Sequence, residues 1–137
     1  MDCDVLAIAY RGYSGNDGKP SEKGLKSDVE ALIQYIQSSG LKEKHASAGV
    51  FLIGRSLGGA VAGHALHKLA DKPYFFDGVV FENTFTSISS MVDHIFYFVS
   101  FFKWLILDID WDTLSVVSEA SVPMLFVSGD EDEIVPH

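Results

Sequence analysis

The chain has 137 residues, a hydrophobic share of 47% and a formal net charge of −9 at pH 7. This length predicts one domain with enough apolar material for a core, and the single cysteine, Cys3, excludes an internal disulfide and a metal site built from several thiolates. The acidic charge disfavours nucleic acid and anionic lipid as electrostatic partners, because no stripe of lysine and arginine is available to replace their counterions.

The first predicted element is a strand over residues 5–10, an apolar run without alternation of polar and apolar side chains. Such a run is typical of a strand that is covered on both faces of a sheet. Because it begins almost at residue 1, we expect further chain before it. Its edge would otherwise be unpaired and apolar, so we expect this chain on its own to be poorly soluble or unstable.

A helix is predicted after the polar, glycine-containing loop 11–20. Apolar residues recur there at helical spacing and define one buried face: Leu25, Val29, Leu32, Ile33 and Ile36. Ser27 with Glu30 resembles a capping box, which predicts that the helix begins there. Gly40 suits the left-handed residue that follows a helix C-terminus.

Residues 48–60 read as a buried strand, a sharp turn with one serine and the start of a helix. In the pattern Gly54-x-Ser56-x-Gly58 the turn is strained, and we expect a Cβ at either glycine to collide with neighbouring backbone. Such a turn holds the Ser56 hydroxyl beside a helix N-terminus, where backbone N–H groups stabilise an oxyanion. The alternative is a tight glycine turn with an incidental serine.

Two more strands are predicted, at 78–82 and 124–128, with a helix that runs from the serine turn to about Lys72. The apolar and aromatic residues 91–107 are predicted to be helical, and the acidic residues 108–121 are predicted to be irregular or partly helical. Strands that alternate with helices predict an α/β fold, with a mostly parallel sheet flanked by helices. Chemistry collects at the C-terminal strand ends of such sheets, and these ends carry Arg11, Ser56, Glu82, Asn83 and the cluster Asp130–Asp132.

Five blocks of residues along the chain form a specific pattern: Tyr10-Arg11-Gly12-Tyr13, Ser21-Glu22-x-Gly24-Leu25-x-x-Asp28, Gly54-Arg55-Ser56-Leu57-Gly58-Gly59-Ala60-Val61-Ala62, Glu82-Asn83-Thr84-Phe85 and Ser128-Gly129-x-x-Asp132-Glu133-x-Val135-Pro136. With these blocks the chain resembles the alpha/beta-hydrolase superfamily, and within it the branch of alpha/beta hydrolase domain-containing protein thirteen and its fungal relatives. It departs from the family in the loop 14–18, which lacks the usual Gly-x-Ser-x-Gly, and at Asp130, where the family tends to be apolar.

The resemblance implies that Ser56 is the nucleophile, that Asp132 orients the catalytic histidine and that the Leu57 backbone N–H is one oxyanion donor. Family members hydrolyse acyl esters or thioesters, with lipid-linked groups such as palmitoyl among the expected substrates, and many are tethered to membranes. The resemblance also implies one incomplete alpha/beta-hydrolase domain over residues 1–137, with 84–121 as a candidate lid-like insertion. No metal-ligand spacing and no phosphate-binding loop are found in the sequence, so no cofactor or metal is expected.

The catalytic histidine is the missing part, because the family places it after one further strand, beyond His137. Four histidines precede His137 in the sequence. His45 is interpreted as a surface residue, His64 and His67 as residues of the helix after the serine turn, and His94 as a surface or lid residue. His137 follows Asp132 too closely to reach Ser56 without strain. The family's upstream His-Gly loop, which supplies the second oxyanion donor, is absent as well. We therefore expect an internal piece of a hydrolase, with little or no turnover from this chain alone.

Several alternatives stay open at this point. The chain could be a non-catalytic truncated form or interaction module, or a peptidase or carbon–carbon hydrolase on the same scaffold. The aromatic cluster between Phe96 and Trp104 is either a helix packed over the sheet or a lid that receives an acyl chain. Arg11 either pairs with a carboxylate or contacts substrate, whereas Glu82 and Asn83 are interpreted as hydrogen-bonding scaffold.

Overall fold

The computed structural model describes residues 3–72, 75–84 and 113–129. Helices and strands alternate along these residues: α1 (Glu22–Ser38), α2 (Leu41–Lys44), β1 (Phe51–Arg55), α3 (Leu57–Lys68), β2 (Gly78–Glu82), α4 (Thr113–Glu119) and β3 (Met124–Val127). None of these helices has the length and apolar character that crossing a membrane requires.

The three strands form one parallel sheet in the order β1-β2-β3. Its register pairs Arg55 with Glu82 and Glu82 with Val127, so the C-terminal ends of all three strands are level. The predicted α/β class, with a parallel sheet flanked by helices, is therefore confirmed. The residues that follow the three strands are brought to one edge of the sheet, which we call the carboxyl edge.

The core lies between the helices and one face of the sheet. Helix α3 packs against β1 and β2, and α1 and α4 pack in turn against α3. On this face Val79 and Phe81 are each 1% exposed, whereas Phe51 and Ile53 on the opposite face are 59% and 68% exposed. Within the described ranges, the helices thus cover one face of β1 and β2, whereas Phe126 of β3, on that same face, is 60% exposed.

Helix α1 confirms the predicted buried face but begins earlier than predicted. Its N-cap is Ser21, which has an extended backbone and whose hydroxyl accepts the Gly24 N–H at 3.1 Å. Ser27 lies inside the helix, where its hydroxyl donates to the Lys23 carbonyl, so the capping box assigned to it is wrong. The predicted end is correct: α1 stops at Ser38, and Gly40 is left-handed with φ 69°.

The predicted strand over residues 5–10 is wrong, since no described strand pairs with this segment and Val5 is 83% exposed. Asp4 contacts His45 at 3.1 Å before β1, and the Tyr10 hydroxyl lies near Gly58 beyond it. An apolar run expresses a tendency to be buried, but a strand also needs a hydrogen-bonding neighbour.

Smaller differences concern element ends. Residues 41–44 form the short helix α2, where no helix was predicted, and α3 ends at Lys68 rather than near Lys72. Helix α4 is the helical part of the acidic stretch, which was predicted as irregular or partly helical. The candidate lid over 84–121 and the aromatic cluster fall largely or wholly outside the described residues, so both interpretations stay predictions.

Candidate active site

Ser56 occupies the turn between β1 and α3, in a backbone conformation with φ 50° and ψ −120°. A positive φ is uncommon for a residue with a side chain. Two hydrogen bonds hold the turn: the Ser56 N–H donates to the Glu82 carbonyl at 3.0 Å, and the Gly59 N–H donates to the Ser56 carbonyl at 2.9 Å. Strain persists where the surroundings over-determine the backbone, and here β2 and α3 do so together.

The glycines around Ser56 divide into tight and open positions. A Cβ on Gly54 would lie 2.6 Å from the carbonyl carbon of Gly58, which confirms the predicted collision there. A Cβ on Gly58 would meet only the Tyr10 hydroxyl, at 3.9 Å, so the collision predicted for Gly58 is wrong. The tight position on α3 is Gly59, where a Cβ would lie 2.7 Å from the Cβ of Thr84.

Leu57 is the first residue of α3, so its amide belongs to the helix N–H groups that have no acceptor within the helix. Ser56 stands at the N-cap position, yet its hydroxyl makes no capping hydrogen bond. These N–H groups at the positive end of the helix dipole suit a developing negative charge beside Ser56. The assignment of the Leu57 N–H as an oxyanion donor stays a prediction.

Residues 82–84, at the end of β2, connect the serine turn with the end of β3. Asn83 has φ 44°, and its N–H donates to the Val127 carbonyl at 2.8 Å. Its side-chain Oδ1 accepts the Gly129 N–H at 3.0 Å. The sequence predicted a scaffold role for Glu82 and Asn83, and these bonds agree with it. The packing of Thr84 against Gly59 was missed, since nothing in the sequence pairs residues so far apart.

Arg11 pairs with Asp28, which decides between the two interpretations of this arginine. Its Nε and Nη2 donate to Asp28 Oδ1 at 3.0 and 2.7 Å, and its backbone N–H donates to Oδ2 at 3.0 Å. Partial burial of Asp28 opposes ionisation, but the hydrogen bonds and charge of Arg11 outweigh it and lower the pKa of the carboxyl. The pair ties the loop that follows Tyr10 to helix α1.

The histidines of the described residues lie away from Ser56. His45 contacts Asp4 at the opposite end of the sheet. His64 lies about 12 Å along α3 from the serine, where burial first and then the charges of Lys26 and Lys68 lower its pKa to about 4. His67 follows on the same helix. Asp132, His94 and His137 lie outside the described residues, so their assignments stay predictions.

Comparisons with known proteins give relatives across the whole chain, although no protein-family model matches it. The chain is 40% identical over 134 residues to an uncharacterized membrane protein, YNL320W of Saccharomyces cerevisiae. It is 35% identical over 150 residues to the alpha/beta hydrolase domain-containing protein WAV2 of Arabidopsis thaliana. It is 29% identical over 143 residues to the lysophosphatidylserine lipase ABHD12 of Danio rerio.

These alignments cover 96%, 99% and 96% of this chain, and 45%, 46% and 36% of the three relatives. The chain thus spans about half the length of the first two relatives and about a third of the last.

Proposed function

We propose that this chain, which belongs to the alpha/beta-hydrolase superfamily, carries the nucleophile of a serine hydrolase that cleaves carboxylic esters or acyl thioesters. The resemblance noted in the sequence is confirmed by the relatives, fungal ones included. The observation that carries the proposal is the strained backbone of Ser56, which sits between the end of a parallel strand and the N-terminus of a helix.

In the proposed reaction the Ser56 Oγ attacks the acyl carbonyl carbon and its proton passes to a histidine that Asp132 orients. The tetrahedral oxyanion is stabilised by N–H donors, among them that of Leu57. Collapse of this intermediate breaks the bond to the alcohol or thiol, which leaves with the proton from the histidine. Water then attacks the acyl-enzyme by the same route, releases the acid and restores the serine.

A lipid-linked acyl group is the proposed substrate class. Its support is the relative named as a lysophosphatidylserine lipase. A membrane location of the protein is proposed on the same kind of support, because one relative is named as a membrane protein. The peptidase and the non-catalytic form remain the alternatives that an experiment must separate.

The test is a hydrolysis panel of acyl esters, acyl thioesters, lysophospholipids and peptides, using the protein as its gene encodes it. We expect turnover of the acyl substrates, and a loss of at least about 1,000-fold in Ser56→Ala, because the nucleophile is removed. Equal turnover by the variant would contradict the proposal. Cleavage of peptides alone would favour the peptidase, and a folded protein that turns over no substrate would favour the non-catalytic form.

A further inference from the structure

The segment 82–84 bonds to the serine turn on one side and to the end of β3 on the other. The Glu82 carbonyl accepts the Ser56 N–H at 3.0 Å, and Thr84 packs against Gly59 on the helix that follows the serine. Between them, Asn83 reaches the β3 side through two bonds, to the Val127 carbonyl and from the Gly129 N–H. A single three-residue segment therefore sets the position of one strand end relative to the other.

Asn83 is suited to this place in two ways. Its φ of 44° lies in the left-handed region, which asparagine adopts at lower cost than most residues with a side chain. Its amide oxygen then points across to the backbone of Gly129, 46 residues later in the chain. Glycine would supply the backbone conformation alone, and aspartate would supply both the conformation and an acceptor oxygen.

We propose that Asn83 is a positioning residue of the hydrolase, whose side-chain oxygen fixes the direction in which the chain leaves β3 relative to Ser56. Gly129 lies three residues before Asp132 in the sequence, so we expect the direction of the chain at Gly129 to bear on the position of the predicted acid. The inference rests on the proposed function. In this proposal Asn83 acts through the chain that leaves β3 and not by contact with the substrate.

The opposite end of the sheet offers a matched control, Asp77. Its Oδ2 accepts the Val50 N–H at 2.7 Å and its own N–H donates to the Val50 carbonyl at 2.8 Å. This is the same combination of a side-chain and a main-chain bond between neighbouring strand ends. Because it lies at the end away from Ser56, its loss should affect stability without affecting the reaction.

The experiment compares Asn83→Gly, Asn83→Asp and Asp77→Ala in the protein as its gene encodes it. We measure the melting temperature, kcat and KM on an acyl ester, and the rate at which a fluorophosphonate labels the serine. For Asn83→Gly we expect kcat and the labelling rate to fall by about 10- to 100-fold with KM unchanged, because small misplacements of catalytic groups have effects of this size. Asn83→Asp should stay within about threefold of wild type, since it keeps the acceptor.

Asp77→Ala should lower the melting temperature by a few degrees and leave kcat unchanged. The inference is overturned if Asn83→Gly is as active as wild type, or if Asn83→Asp is as impaired as Asn83→Gly. It is also overturned if Asp77→Ala loses kcat to the same extent as Asn83→Gly. A wild-type protein that is neither labelled nor active would instead overturn the proposed function, which keeps the two failures apart.

Discussion

The two ends of the sheet use similar bonds but store strain differently. At both ends a side-chain oxygen accepts a backbone N–H across neighbouring strand ends, through Asn83 at the carboxyl edge and Asp77 at the other. Of the residues within two positions of the ends of β1 and β2, the one with a positive φ before β1 is a glycine, Gly49, whereas those after the two strands are Ser56 and Asn83. Strained residues with side chains cluster where function resides, and this difference singles out the carboxyl edge.

The largest expected effect comes from adding one methyl group beneath the serine turn. Gly54→Ala should destabilise the protein by more than about 3 kcal/mol, because its Cβ would overlap backbone that cannot move aside. Gly58→Ala should lie within about 0.5 kcal/mol of wild type, since its Cβ would make only an ordinary contact with the Tyr10 hydroxyl. Urea unfolding of the two variants measures the contrast. Equal losses would mean that the turn is not packed as described.

A smaller effect is expected at the contact between α3 and the end of β2. Gly59→Ala should cost about 2 kcal/mol, because its Cβ would overlap Thr84. If that overlap is the cause, the double variant Gly59→Ala/Thr84→Gly should recover part of the loss. A double-mutant cycle by denaturant unfolding gives the coupling between the two positions. Strict additivity would show that Thr84 does not set the requirement for glycine.

The ion pair between Arg11 and Asp28 should contribute less to the stability of the protein, and only at pH values at which the Asp28 carboxyl is ionised. The folded pKa of Asp28 is lowered, so its contribution is complete above the unfolded pKa of about 4 and disappears as pH falls through the lower folded value. Asp28→Asn should therefore cost about 1.5 kcal/mol at pH 7 and progressively less in acid. Unfolding curves at several pH values test this, and a loss that is independent of pH would contradict it.

The smallest expected effect concerns His64, which lies on α3 about 12 Å from the serine. Its folded pKa of about 4 lies below its ordinary value of about 6.5, so the unfolded chain binds a proton first as pH falls. Its contribution to stability should decline from pH 6.5 to about 4, because burial and then the charges of Lys26, Lys68 and His67 disfavour the protonated imidazole, which Glu30 offsets only in part. His64→Gln should show a shallower decline over that range with kcat unchanged, whereas parallel curves would contradict the account.

The sequence predicts those features that depend on local pattern. The apolar period of α1, the strand–turn–helix around Ser56 and the alternation of strands and helices are each contained in short stretches. The start of α1 was misplaced because two serines precede apolar helical residues, and only the backbone at Ser21 decides which one caps the helix. This error is small because it concerns the first residue of α1 and not the existence of the helix.

The remaining features depend on neighbours that are distant in sequence. Residues 5–10 are apolar enough for a strand, but pairing requires a partner that the run itself does not specify. The sequence alone does not distinguish the adjacent glycines Gly58 and Gly59. Only the contact with Thr84 shows that Gly59 is the one with no room for a Cβ. The bond between Asn83 and Gly129 likewise joins residues 46 positions apart. Such contacts follow from the sheet register and cannot be read from a local pattern.

Covalent labelling tests the central claim most directly. The protein as its gene encodes it is treated with a fluorophosphonate, digested, and mapped by mass spectrometry, with Ser56→Ala as the control. The account predicts one adduct, on the peptide that contains Ser56, and none in the variant. A folded wild-type protein that stays unlabelled, or an adduct on another serine that persists in the variant, would contradict it.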